Sequence, residues 1–87
     1  MTEPAPATEL VEFLVRSIVE NPDEVAVEGF EEGGELILEV KVADSDLGRV
    51  IGREGRVAKA IRTIARAAGA RDDRRVSVDI IEEDDGD

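Results

Sequence analysis

The sequence predicts an α+β domain in the order helix–strand–strand–helix–helix–strand, with a three-stranded mixed sheet and its helices packed on one face. Three observations carry this. Residues 36–42 and 75–81 alternate apolar and polar side chains at the period of a half-buried strand, whereas residues 8–19 and 56–68 repeat apolar side chains at helical spacing. The stretch joining the two clearest strands holds two helix signals and is long enough to bring the chain back for parallel pairing. A right-handed crossover would then set both of those helices on the same face of the sheet. A chain of 87 residues closes one modest core and no second one.

Residues 1–7 contain Pro4 and Pro6 among small polar residues and read as a flexible leader. Thr8 is placed to N-cap the first helix, and Glu9 and Glu12 lie near its positive end. Leu10, Phe13, Leu14, Ser17 and Ile18 follow helical spacing, with Val11, Val15 and Val19 widening the stripe. Asn21-Pro22 ends this helix, because proline disfavours helix at the residue before it. Val25 and Val27 begin a strand whose parity breaks at Gly29-Phe30, so a bulge or early end is expected there. Glu32-Gly33-Gly34-Glu35 is a hairpin turn with glycines able to take positive φ, and Leu36, Leu38, Val40 and Val42 form the clearest strand.

Asp44, Ser45 and Asp46 are cap residues for a short helix over Leu47 to Ile51. Gly52-Arg53-Glu54-Gly55 interrupts it, and a longer helix follows from about Arg56 to Ala68, with Gly69 as its C-terminal cap. Val57, Ile61, Ile64, Ala65 and Ala68 fall within one arc of that helix, which makes Ile61 and Ile64 its expected central core residues. Val76, Val78 and Ile80 mark the last strand, and EEDDGD at 82–87 reads as a flexible acidic tail. The expected division is therefore a leader at 1–7, a domain at 8–81 and a tail at 82–87.

Charge is unevenly placed. The net charge is −11, yet residues 49–71 carry seven cations against Glu54 alone, while the segments on both sides are strongly acidic. Screening limits an exposed charge to about 8–10 Å at moderate salt, so a compact basic segment can attract a polyanion that the remaining surface repels. The composition also excludes several classes of function. Without cysteine there is no disulfide or thiolate metal site, and without histidine the commonest general base and zinc ligand are missing. Phe13 and Phe30 are the only aromatics, which disfavours RNA recognition by a row of aromatic stacking platforms. No catalytic constellation, cofactor or metal is expected. MTEPAPATE does not read as a secretory signal and no apolar run reaches membrane-spanning length, so a cytoplasmic protein with no membrane attachment is expected.

Two glycines three residues apart, between a short helix and a long one, allow a tight turn whose amides point outward at a helix N-terminus. Arg49, Arg53 and Arg56 would surround a phosphate held there; a plain helix–turn–helix corner is the competing reading of the spacing. The pattern matches neither the P-loop nor the dinucleotide-binding fingerprint, so nucleotide hydrolysis has no support.

The run GRVIGREGRVAKAIRTIARAAGA, in the element order above, resembles the signature of KH domains of the type II arrangement. Over about residues 8–82 the chain is similar to the small bacterial KH-domain RNA-binding proteins. The resemblance implies that Gly52, Arg53, Glu54 and Gly55 clamp a single-stranded RNA backbone. It further implies that Val50, Ile51 and the 57–61 segment flank a groove for bases, with strand 36–42 as the far wall. The implied RNA-binding set is Arg49, Val50, Ile51, Gly52, Arg53, Glu54, Gly55, Arg56 and Lys59. Such a domain grips about four nucleotides, so pairing with itself, or with a larger KH-containing protein, is implied as a means of raising affinity. The role implied is that of a post-transcriptional regulator or RNA chaperone. A protein-interaction module with little RNA affinity is the alternative; Glu54 and the net charge favour it, and the basic helix face opposes it.

Overall fold

The computed structural model describes residues 6–82. The leader and the acidic tail lie outside the described residues, apart from Pro6, Ala7 and Glu82. Strands β1 (Ala26–Glu32) and β2 (Glu35–Lys41) form an antiparallel hairpin in unbroken register from Ala26 opposite Lys41 to Glu32 opposite Glu35. Strand β3 (Arg75–Ile80) pairs with β2 in parallel, which gives the sheet order β1-β2-β3. Helix α1 (Pro6–Ile18) precedes the hairpin, and the short α2 (Leu47–Ile51) and long α3 (Arg56–Arg71) make the parallel connection. This is the expected element order. Among the described residues no helix is long and apolar enough to cross a membrane.

Alternation places Leu36, Leu38 and Val40 of β2 and Val76, Val78 and Ile80 of β3 on one buried face. Helices α1 and α3 close over that face through Ala7, Val11 and Val15 on one side and Ala58, Ile61 and Ala65 on the other. The hairpin turn uses Gly33 and Gly34, both at positive φ, as a two-residue loop matching the strand twist requires.

Four details depart from the sequence expectations, each for a packing reason. Helix α1 is already formed at Pro6, so Thr8 lies inside it and does not cap it; proline is tolerated in a first helical turn. Its core stripe is Ala7, Val11 and Val15, while Phe13 is 68% exposed. No bulge interrupts β1. Gly29 sits opposite Leu38 in register, and a side chain there would meet Leu36 Cδ1 at 3.2 Å and Leu38 Cδ2 at 3.4 Å, so glycine clears room for the core.

The fourth departure concerns α3. Its buried side is Ala58, Ile61, Ala65 and Gly69, so the core face is rotated away from Ile64, which is 38% exposed where Ile61 is 4%. Gly69 is not the cap. The helix runs on to Arg71, and Asp73 at φ 57 takes the left-handed position. Asp73 N–H then donates to the Ala70 carbonyl at 3.0 Å and Arg74 N–H to that of Gly69 at 2.8 Å, the paired bonds of a Schellman ending. Gly69 serves close approach: a Cβ there would lie 2.4 Å from Val76 Cγ2 and 2.7 Å from the Arg74 carbonyl oxygen.

Ile61→Ala should cost roughly 2–5 kcal/mol, and Ile64→Ala less than about 1 kcal/mol. Gly69→Ala should lower the melting temperature, although helix propensity alone favours alanine by about 1 kcal/mol. Thermal melts of the three variants check the orientation of α3; a stabilised Gly69→Ala would remove the close-approach account.

Candidate nucleic-acid interface

The four residues Gly52–Gly55 form a single tight turn between α2 and α3. Gly52 stands at φ 78, ψ 174, and a Cβ on it would fall 2.4 Å from Val57 Cγ2 and 2.8 Å from Val57 N. Both its dihedral and its contact therefore demand glycine. Gly55, at φ 73, caps α3 in the left-handed region with open space around it, so only its dihedral is restrictive. Glu54 also lies in that region, at φ 58, ψ 26.

The turn is held from both ends. Gly52 N–H donates to the Gly48 carbonyl at 2.8 Å and Gly55 N–H to that of Gly52 at 3.1 Å. Arg56 N–H donates to the Arg53 carbonyl. The turn thus stands at the positive end of a 16-residue helix.

Arg53, Glu54, Arg56 and Lys59 are all exposed around this turn. Arg56 reaches Glu54 at 3.4 Å, whereas no carboxylate among the described residues pairs with Arg53 or Lys59. Arg49 is engaged elsewhere: it contacts Glu20 at 2.8 Å and approaches Asp46 at 3.6 Å, so it is not a free cation at the turn. Val50 is fully buried in the core and can only support the turn from beneath. Of the aliphatic side chains expected to flank a groove, Ile51 and Val57 are half-buried, while Ala58 and Ile61 belong to the core. β2, the strand expected as the far wall, is central with a neighbour on each side, and α3 packs along β3, which pairs with no further strand among the described residues. Arg62 Nε donates to the Val78 carbonyl at 3.3 Å and bridges α3 to that strand.

A residue that sequence reasoning took for a helix cap proves to be the anchor behind the site. Asp46 is 1% exposed and makes no cap to α2. Its Oδ1 accepts from Glu20 N–H at 2.9 Å, and its Oδ2 accepts from Asn21 N–H and Asn21 Nδ2, both at 3.0 Å. The Glu20 amide, with smaller help from Asn21 and Arg49, outweighs burial and holds the Asp46 carboxyl below its ordinary value. A run of three polar residues before Leu47 is visible in sequence; that the third turns inward to meet Asn21, 25 residues earlier, is not.

Because the folded protein holds this carboxyl below 3.8, its contribution to stability is complete above that pH and is lost as pH falls through the lowered value. Asp46→Asn should therefore melt lower than the parent near neutral pH, by about 5 °C or more. The gap should close as the pH drops below 3.8. Melting curves across that range check it; a constant gap would show that Asp46 acts by shape alone.

Comparison with known proteins bears on this geometry. Residues 8–80 match the family model of the KhpA/KhpB KH domain. A protein of Clostridium acetobutylicum named RNA-binding protein KhpA is 48% identical over 73 residues, covering 84% of this chain and 97% of that one. A protein of the same name in Borreliella burgdorferi is 46% identical over 74 residues, covering 85% and 90%. Among solved structures, Aquifex aeolicus Era bound to GDP·AlF4− superposes with a TM-score of 0.64 at 22% identity. That match covers 92% of this chain but 31% of the Era chain, and it bears on the fold alone.

Proposed function

The chain belongs to the KhpA/KhpB KH-domain family, and from that premise we propose that it binds single-stranded RNA, with Gly52-Arg53-Glu54-Gly55 set against the sugar–phosphate backbone. The observation that carries the proposal is the tight glycine turn at the head of the 16-residue α3, with the cations Arg53, Arg56 and Lys59 exposed around it. A phosphate oxygen is the ligand that a helix N-terminus ringed by cations suits best. Ile51 and Val57 offer the apolar contact for a base, in a chain with no exposed aromatic row to stack one. Relatives named RNA-binding protein KhpA point the same way.

The role that follows is post-transcriptional, as a regulator or RNA chaperone. A footprint of about four nucleotides gives little affinity to one copy, so pairing with a second copy or a KhpB-like protein is part of the proposal. One observation favours a second reading, in which the domain works mainly by binding protein. Glu54 pairs with Arg56 at 3.4 Å and places a carboxylate where a phosphate would sit.

The double substitution Arg53→Asp, Glu54→Asp separates the two readings. It retains both glycines, and aspartate tolerates the left-handed backbone at position 54, so melting should hardly change. RNA affinity should fall at least about tenfold, or 1.4 kcal/mol. The parent protein should show a salt slope of about −2 to −3, as three or four single-strand phosphates require. A folded double variant that binds RNA like the parent would overturn the backbone clamp at the turn, and a parent that binds no RNA would leave the protein-binding reading in place.

A further inference from the structure

We propose that the flank of α3 facing β3 leads a bound single strand past the glycine turn to a second phosphate-binding subsite at Arg66 and Arg75. The inference rests on the RNA reading above and adds a subsite to it. Lys59, Arg62 and Arg66 stand at spacings of three and four along α3 and so share one side of the helix. The Arg62 bond to the Val78 carbonyl identifies that side as the one facing β3. The flank ends at an open concavity of about 620 Å³ between the last turns of α3 and the start of β3. Its floor is Ala67, Ala70 and Val76, and its cations are Arg66, Arg74 and Arg75.

These cations are not equivalent. Arg74 is paired with Glu31, whereas no carboxylate among the described residues pairs with Arg66 or Arg75. Among the described residues Glu35 is the one carboxylate lining the concavity, and it opposes an anion there. Two uncommitted guanidinium groups above a small apolar floor fit a phosphate carrying a base or ribose: the guanidinium groups meet its oxygens or stack on the base, and the floor takes the remainder. From Arg56 to Arg66 the helix rises about 15 Å, which a stacked strand covers in four to five steps of roughly 3.4 Å, or about five to six nucleotides. The subsite is therefore beyond the reach of a strand that only fills the glycine turn.

Fluorescence anisotropy with single-stranded RNAs of about four and about ten nucleotides tests this. In Arg66→Ala, Arg75→Ala, both exposed positions, the melting temperature should hold. The longer strand should lose about tenfold in affinity and about 1.4 units of salt slope, the share of two phosphates, while the shorter strand is unaffected. Glu35→Gln should tighten the longer strand alone. An undiminished longer strand, or an equal loss for both lengths, would overturn the subsite. If the parent protein binds neither strand, the RNA reading falls and the subsite with it. Loss of the longer strand in the Arg66, Arg75 variant, together with full binding in the Arg53, Glu54 variant, would fault the turn and uphold the subsite. A mononucleotide that fills the concavity without any effect of strand length would assign it to a free nucleotide and overturn the strand path.

Discussion

The buried carboxylate of Asp46 is the contact on which the arrangement of the site depends. Where α1 ends, the N–H groups of Glu20 and Asn21 leave the helix with no carbonyl to meet, and Asp46 supplies both with an acceptor from the segment leading into α2. An acid buried to this degree survives only if it is fully hydrogen-bonded, and three N–H donations with a guanidinium close by meet that condition. The consequence is geometric. α2 is only five residues long and could not hold its own direction, yet it carries the glycine turn at its far end. Asp46 fixes its start against α1, Val50 fixes its middle in the core, and the turn is presented from a rigid base.

A second constraint acts through the absence of side chains. Gly52 lets the turn fold against Val57, Gly69 lets the end of α3 meet Val76, and Gly29 leaves room for Leu36 and Leu38 below α1. With Ala58 and Ala65 between them, these positions bring α3 close to the sheet over most of its length. Close approach explains how so short a chain forms a core from valine, alanine, leucine and isoleucine without one buried aromatic among the described residues. Many small contacts at near-ideal distance replace a few large side chains.

The same feature marks the boundary of what the sequence discloses. The strands, the hairpin turn and the glycine turn were legible because each rests on a local rule: alternation, paired glycines at positive φ, and a glycine pair between helices. The faces of the helices were not. On α3 a search for large apolar residues selects Ile61 and Ile64 together, but the side that packs is chosen by where alanine and glycine permit contact, and this turns Ile64 outward. On α1 the same preference for size selects Phe13 over Val11 and Val15, which the structure reverses. At the site, the turn and its cations were readable, whereas the engagement of Arg49 with Glu20 and the inward turn of Asp46 depend on residues about 25 to 30 positions away. No local pattern contains that information.

Register also sorts charge, and this bears on how an acidic chain can favour a polyanion. On the sheet face away from the helices, Glu28, Glu39 and Asp79 stand directly opposite one another across the three strands. Like charges in opposed positions destabilise a sheet, so this row works against folding. It lies on the layer opposite α3, while Arg53, Lys59 and Arg66 on the helical layer are without carboxylate partners among the described residues. With exposed charges screened over about 8–10 Å and a sheet and a helix layer between them, the two fields overlap little. The acidic face then disfavours a strand on the side of the sheet away from α3. On the RNA reading, net charge and affinity are thus separate quantities: the total sets where a strand may not lie, and the local arrangement on α3 sets where it does.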